Sequence, residues 1–298
     1  MKTLIAIAAL TATSLAQANV GIASGNKTGT NWPMVQDIVS VCSKPNNVIT
    51  NVLSDGSIEN ITKIYTDKST QFGVVQEDAL VLMKAQDPKM MERVVAVFPF
   101  FSVEMHLVVN ANSQIKSLSD LTGKRVAMGP EGSGTIVSTQ VIQSLSNIKW
   151  VKDENNLTQA QAIAALQNNS IDAAFIVAGQ PISVLKNATN IKLIPVQHPK
   201  LDEFSYYTKT MLPSKTYPWQ TNSVQTYKVN NVLATFAFKN QFQREIGELV
   251  TCITKNMDTL QTNPQHHPKW RSVDPLDINL VKWPTHPAAV SAIKRATK

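Results

Sequence analysis

The sequence predicts an α/β protein of two lobes, each a mainly parallel sheet flanked by helices, with a ligand cleft between the lobes. Strand-like and helix-like segments alternate almost to the end of the 298 residues, as is typical of chains that build parallel sheets. The alternation falls into two similar blocks, and the chain passes between them near residues 101–110 and returns near residues 218–230. We therefore expect residues 19–104 and 225–298 to form lobe I and residues 105–224 to form lobe II.

The N-terminus predicts export to the periplasm. Lys2 precedes an apolar run over residues 4–15, and Ala16 and Ala18 form the small-x-small pattern of a signal-peptidase site. We expect a signal peptide over residues 1–18 with cleavage after Ala18. A retained anchor is the alternative, although the run is shorter than the roughly 18–20 apolar residues that span a bilayer.

Three strands, each followed by a polar loop and a helix, open lobe I. The predicted strands cover residues 20–23, 48–53 and 72–75, and the predicted helices begin near residues 32, 58 and 76. In open parallel sheets ligands bind where the strands end, so the loops at this edge are candidate ligand contacts.

Lobe II repeats the pattern after two separate β-rich runs. The runs cover residues 94–101 and 104–110, the later strands 126–128, 149–152, 171–177 and 191–196, and the helices begin near residues 136 and 157. Prolines and aromatic residues predict surface loops or crossover segments over residues 198–218. A strand over 224–238, a long amphipathic helix over 240–260 and a short helix over 287–295 complete the chain.

The composition is that of a soluble globular protein without a nucleic-acid partner. Hydrophobic residues make up 43% and charged residues 16% of the chain, which argues against disorder. The formal charge of +7 comes from scattered lysines and arginines with no basic run and no aromatic platform. A mild positive field of this kind helps to collect anionic solutes.

The two cysteines, Cys42 and Cys252, predict one disulfide in an exported protein, with two buried free thiols as the alternative. A bridge would place the C-terminal helix with lobe I. The histidines do not cluster: His106 lies in a predicted strand, and His266 and His267 lie in a polar tail. We therefore expect neither a metal site nor a bound cofactor.

The loop GPEGSGT at residues 129–135 is the sharpest local motif. It joins a predicted strand to a helix, so it leaves free backbone N–H groups and hydroxyls at the positive end of a helix dipole. Such an end binds a carboxylate, with Ser133, Gly134 and Thr135 as the expected contacts. The alternative is simple helix capping. The spacing excludes a dinucleotide fingerprint, a P-loop and a hydrolase elbow, and no catalytic His, Cys or carboxylate pair is evident.

Six segments, in order, resemble the TAXI family of solute-binding proteins, the extracytoplasmic receptors of TRAP-type transporters. They are GIASGNKTGTNWP, SDGSIENI, GVVQEDAL, SLSDLTGKRVAMGPEGSGT, DAAFIVAGQP and LPSKTYP, within residues 20–290. The resemblance implies a type II periplasmic-binding fold that closes over a small organic anion, glutamate or a related dicarboxylate such as 2-oxoglutarate, and delivers it to a membrane permease. Asn31 and Trp32 stand where the family usually has two aromatic residues. We expect a monomeric receptor and not an enzyme.

The candidate ligand-binding residues all lie in these motifs. They are Thr28, Gly29, Thr30, Trp32, Ser57, Asn60, Gln76, Asp78, Gly132, Ser133, Gly134, Thr135, Gly179 and Gln180. Three have structural alternatives: Ser57 as a helix N-cap, Trp32 as a core residue, and Asp78, a candidate partner for an amino group, as a first-turn carboxylate.

Two other functions fit the same fold. An enzyme of the pyrimidine-synthase type should lack a signal peptide and should place a reactive His or Cys in the cleft. A ligand sensor or surface antigen would dock to a signalling partner instead of a permease.

Overall fold

The computed structural model describes residues 18–152, 156–237 and 243–298. The strands of this described part form a single sheet. The predicted signal peptide lies outside the described residues except for Ala18, where the first strand begins. The strands are β1 Ala18–Gly25, β2 Asn47–Leu53, β3 Phe72–Gln76, β4 Val94–Asn110, β5 Arg125–Ala127, β6 Val151–Lys152, β7 Ala173–Ala178, β8 Ile191–Ile194, β9 Tyr207–Leu212 and β10 Val224–Phe236.

Parallel strands lie at both ends of the sheet, and antiparallel strands join them in the middle. The order is β2-β1-β3-β10-β4-β7-β5-β6, with β8 paired to β4 and β9 paired to β10. β1 pairs in parallel with β2 and β3, and β5 pairs in parallel with β6 and β7. β4 and β10 run antiparallel to each other and to β7 and β3. The predicted α/β class with two mainly parallel blocks is confirmed.

Helices follow most of the strands and flank the sheet. They are α1 Asn31–Cys42, α2 Ser57–Thr66, α3 Glu77–Gln86, α4 Pro88–Met91, α5 Gly134–Ser146, α6 Gln159–Gln167, α7 Ser183–Lys186, α8 Pro199–Asp202, α9 Gln243–Lys255, α10 Met257–Thr262 and α11 Pro287–Ala296. We call β1–β3 with α1–α3 the first block, and β5–β7 with α5 and α6 the second block. Within the described ranges no helix has the length and apolarity to cross a bilayer.

β4 is one strand of 17 residues, whereas the sequence predicted two separate runs there. The predicted break fails because Ser102 and Val103 stay paired with Asn230 and Val229 of β10, and the Ser102 hydroxyl also donates to the Asn230 side-chain carbonyl. Beyond Glu104 the same strand pairs with β7. The connection between the two blocks is therefore a continuous strand, and β10 provides the return.

The sequence predicted no strand over residues 198–218, but the structure contains one there. This strand, β9, pairs with β10 along six residues. β9 lies at the edge of the sheet, and its inner residues are mostly solvent-accessible while Tyr207 and Leu212 are buried. An edge strand buries few side chains, so its sequence lacks the apolar run that marks a central strand.

The predicted disulfide is confirmed, and the alternative of two free thiols is wrong. Cys42 of α1 and Cys252 of α9 are bonded with their Cα atoms 5.8 Å apart. The bridge ties the C-terminal helices to the first block. The predicted helix over residues 240–260 is divided, in its described part, between α9 and α10 at Asn256, whose side-chain amide donates to the Cys252 carbonyl.

Candidate functional site

A small, partly open cavity of about 70 Å³ lies between the two blocks, at the edge where their parallel strands end. Its walls come from the loop after β1, the starts of α2, α5 and α6, the ends of β3 and β7, and the bridging strands β4 and β10. The polar and glycine residues of the wall include Asn31, Asp55, Ser57, Gln76, Gly134, Thr135, Gln159 and Asn231. Among the candidates from the sequence, Gly29, Thr30, Ser57, Gln76, Ser133, Gly134 and Thr135 line it.

The start of α5 leaves two backbone N–H groups open. The Ser133 hydroxyl accepts the Ile136 N–H at 3.3 Å and donates to the Pro130 carbonyl at 2.7 Å, so it caps the helix. No hydrogen bond among the described residues uses the N–H groups of Gly134 and Thr135. The capping alternative therefore describes the Ser133 side chain, while the backbone at Gly134 and Thr135 still offers two donors at the positive end of the helix.

The hydroxyl of Thr135 already has a structural partner. Its Oγ1 accepts the Val177 N–H of β7 at 3.2 Å, and the side chain is buried. This bond fixes the start of α5 against the end of β7. The contribution of α5 to the cavity is therefore made mainly by its backbone.

The start of α2 is occupied by the loop before α5. The Gly132 carbonyl accepts the N–H groups of Ile58 at 3.0 Å and Glu59 at 3.4 Å. Ser57 is the first residue of α2 and not its cap, and its hydroxyl accepts the Gln76 N–H at 3.2 Å. The N-cap alternative for Ser57 is thus wrong, and the contact at Gly132 joins the two blocks.

Asp78 lies behind the cavity wall in a buried chain of hydrogen bonds between the blocks. The Ser138 hydroxyl donates to Asp78 Oδ2 at 2.6 Å, and the Tyr207 hydroxyl donates to the same oxygen at 3.0 Å. Gln76 Nε2 donates to the Ser138 oxygen at 3.2 Å. Burial raises the pKa of Asp78 to about 6, although these hydrogen bonds act in the opposite direction.

Three further candidates also lie outside the wall of the cavity. Asn60 is fully buried behind it and donates to the Val74 carbonyl at 2.7 Å. Trp32 is half-buried, with the Lys27 ammonium 5.6 Å from its ring centre. Thr28 lines a neighbouring surface pocket, together with Lys27 and His267.

Hydrogen bonds hold the loop after β7 to the loop after β1 and to β4. The Thr30 hydroxyl donates to the Gly179 carbonyl at 3.0 Å, and the Gln180 N–H donates to Glu104 Oε2 at 2.9 Å. Glu104 also forms a buried ion pair with Lys269, with Nζ 2.7 Å from Oε1. Gly179 and Gln180 therefore lie beside the cavity as part of a contact between the blocks.

Sequence reasoning missed two amides whose carbonyl oxygens have no donor. Asn231 Oδ1 and Gln159 Oε1 are buried in the cavity wall, and no donor from the described part of the chain reaches either atom. The available signal was an amide inside the apolar strand VNNVLATF, because a buried polar side chain in a strand usually has a partner or a function. Within the same described residues no group of three His, Cys, Asp or Glu side chains is placed to hold a metal ion.

Solved solute-binding proteins have the same fold. The periplasmic sulfonate-binding protein SsuA of Methylobacillus flagellatus KT is 17% identical, with a TM-score of 0.50 over 93% of this chain and 76% of that chain. A TctC solute-binding protein from Polaromonas is 11% identical, with a TM-score of 0.50 over 95% of this chain and 90% of that chain. A structure from work on glutathione import through GshT and TcyBC of Streptococcus mutans is 13% identical, with a TM-score of 0.56 over 88% and 99%. At such low identities the likeness concerns the fold alone.

The match to a protein family extends over nearly the whole chain. It covers residues 22–294, from β1 to α11, and so includes both blocks, the bridging strands and every wall of the cavity. This chain belongs to the NMT1-like family.

Proposed function

We propose that this protein is a periplasmic solute receptor of the TAXI type. It captures a small organic anion, glutamate or a related dicarboxylate such as 2-oxoglutarate, and delivers it to the permease of a TRAP-type transporter. The family, the fold and the six motifs support this function. The protein binds its ligand without chemistry and reaches the periplasm through the signal peptide over residues 1–18.

The observation that carries the proposal is the pair of free N–H groups at the start of α5. They belong to Gly134 and Thr135, which line the cavity between the two blocks. A carboxylate placed there gains two hydrogen bonds and the favourable field of the helix dipole.

The two blocks act as lobes that close over the ligand. Lobe I comprises residues 19–104 and 225–298, and lobe II comprises residues 105–224. β4 and β10 pass from one lobe to the other and serve as the hinge, since they are the continuous strands that join the two parallel parts of the sheet. Ligand contacts from both lobes favour the closed state, and the permease recognises that state.

A thermal-shift screen of the mature protein tests the receptor function. The panel contains amino acids, dicarboxylic and keto acids, sugars, phosphonates and organic cations. A ligand at 100 times its Kd adds about 2.7 kcal/mol of stability, which raises the Tm by about 5 °C for a chain of this size. We expect an acid to produce this shift, and a response to sugars or cations alone would contradict the proposal.

Two substitutions at one position isolate the backbone donor. Thr135→Ala and Thr135→Pro both remove the hydroxyl that accepts from Val177, but only proline also removes the N–H group. Proline is tolerated in the first turn of a helix, where the N–H has no intrahelical partner. We expect Thr135→Pro to bind the acid at least tenfold more weakly than Thr135→Ala; equal affinities would exclude the carboxylate from this site.

A further inference from the structure

We infer that the cavity selects an acid that carries an amino group, and that Asn231 is the residue that selects it. This inference rests on the proposed receptor function and narrows its ligand class to amino acids, against the keto acids of the same carbon skeleton. The carboxylate lies on the N–H groups of Gly134 and Thr135. The ammonium group donates to Asn231 Oδ1.

Asn231 has unmet hydrogen-bonding capacity. The residue is 2% exposed, and its Nδ2 donates to the Asn31 side-chain carbonyl at 3.1 Å. That bond directs the opposite end of the amide, Oδ1, away from Asn31, where no described residue donates to it. A buried carbonyl without a donor costs about 1–3 kcal/mol, and a ligand N–H group removes that cost.

Asn231 lines the same cavity as the proposed carboxylate site. Asn231 of β10 stands opposite Gln76 of β3 in an antiparallel pair, so their side chains share one face of the sheet. Gln76 reaches the start of α5, because its Oε1 occupies the space that a Cβ on Gly134 would take. Gln76 therefore lies next to both Asn231 and Gly134, and all three residues line the same cavity.

The cavity wall contains several hydrogen-bond acceptors that have no donor. Gln76 Nε2 is used by Ser138, which leaves its Oε1 toward the cavity, and Gln159 Oε1 is a further buried acceptor without a donor. An ammonium group carries three donors, whereas the keto oxygen that replaces it carries none. A keto acid would leave Asn231 and Gln159 unpaired and would place its oxygen against other oxygens.

The charge of the cavity wall also favours an amino acid over a keto acid. No described residue that lines the cavity is a lysine or an arginine, and Asp55 adds a carboxylate. The nearby buried cation, Lys269, is already paired with Glu104. 2-Oxoglutarate brings two negative charges to this wall, whereas the ammonium group of glutamate reduces its net charge to one. Both the hydrogen-bond inventory and the charge favour the amino acid.

Calorimetric titration with matched ligands tests the inference on the mature protein. The pairs are glutamate and 2-oxoglutarate, alanine and pyruvate, and leucine and 4-methyl-2-oxopentanoate, which differ within each pair only in an amino or a keto group. In the pair that binds, we expect the amino acid to bind at least tenfold more tightly. Equal binding, or tighter binding of a keto acid, overturns the inference and leaves the receptor function intact. If no acid binds in these pairs or in the wider screen, both fall.

Two variants of Asn231 assign the selectivity to that residue. Asn231→Leu keeps the size of the side chain and removes Oδ1, so the amino acid should lose at least tenfold in affinity while the keto acid is unaffected. Asn231→Asp keeps an acceptor and adds a charge, so the amino acid should bind at least as tightly as before and the keto acid more weakly. An equal loss of both ligands in Asn231→Leu, with an unchanged melting profile, would give the selectivity to another residue. A loss of amino-acid binding in Asn231→Asp, with an unchanged melting profile, would contradict the acceptor role of Asn231 toward the ligand and would overturn the inference.

Discussion

Two helices begin at the cavity, α2 in the first block and α5 in the second, and their first-turn N–H groups serve different purposes. The donors of Ile58 and Glu59 in α2 are taken by the Gly132 carbonyl of the opposite block. The donors of Gly134 and Thr135 in α5 have no partner among the described residues. One helix start thus holds the blocks together, and the other is left open for a ligand.

Glycines make this division possible. Gly132 has a φ of +85°, a conformation that favours glycine, and it turns the carbonyl of the loop toward α2. Gly134 has no side chain, so Gln76 Oε1 and Ser57 Oγ pack directly against its backbone. The open donors of α5 therefore lie within the contact between the two blocks. Ligand binding and block contact share the same few atoms.

Gly134→Ala should have the largest effect, because it breaks the close contact at α5. The added Cβ would overlap Gln76 Oε1, a buried side chain that is itself held by Ser138. We expect the blocks to separate and ligand affinity to fall by about 100-fold or more, equivalent to about 2.7 kcal/mol. Titration calorimetry measures the affinity, and small-angle X-ray scattering should show a larger radius of gyration with the ligand present.

Gly247→Ala is the matched control for that substitution. Gly247 lies within α9, and a Cβ there would have no neighbour within 4 Å. Alanine is the better helix former by about 0.5–1 kcal/mol, so this variant should be slightly more stable and should bind ligand normally. If Gly134→Ala also binds normally, the two blocks do not depend on contact at α5.

Asp78→Asn tests the second contact between the blocks, where Asp78 accepts from Ser138 of α5 and from Tyr207. The pKa of Asp78 is raised from 3.8 to about 6, so the folded protein holds this proton more tightly than the unfolded chain. The contribution of Asp78 to the free energy of unfolding should fall as pH rises from about 4 to 6 and stay constant above. Urea unfolding from pH 4 to 7 should therefore show Asp78→Asn gaining stability relative to the parent, by at most about 1.4 kcal/mol per pH unit.

The comparison with the parent is necessary because His106 has the opposite effect. Burial lowers the pKa of His106 to about 4, so its contribution to stability rises with pH from about 4 to 6.5. The two groups partly cancel in the profile of the parent. A difference profile between Asp78→Asn and the parent that is flat or of reversed slope would show that Asp78 does not carry the raised pKa.

Sequence periodicity was sufficient for the fold where strands bury both faces. β3 and β7 are buried at every residue, and both were predicted within a residue or two of their ends. β9 was missed because an edge strand exposes much of its surface, and the unity of β4 was missed because polar Ser102 and Glu104 interrupt an apolar run. Their partners, Asn230 and Gln180, lie far away in the sequence.

Sequence motifs identified several residues that line the cavity, but not the contacts that these residues make. The motif GSGT and the strand ends place Ser57, Gln76, Gly134 and Thr135 at the cavity. Which side of a residue faces the cavity depends on contacts across the blocks, and no local pattern encodes these. Asp78 and Ser138, for instance, are 60 residues apart in the chain.

The smallest expected effects distinguish the two serines at the helix starts. Ser133 caps α5 through the Ile136 N–H, so Ser133→Ala should cost about 1 kcal/mol of stability and change ligand affinity little, because the open donors belong to the backbone.

Ser57 is no cap, and its hydroxyl lines the cavity with a proton still to donate, since its oxygen accepts from Gln76. Ser57→Ala should therefore weaken ligand binding by about fivefold to tenfold, the worth of one hydrogen bond. Unfolding and titration are measured on both variants; if Ser133→Ala weakens ligand binding more than Ser57→Ala does, the roles assigned to the two serines are wrong.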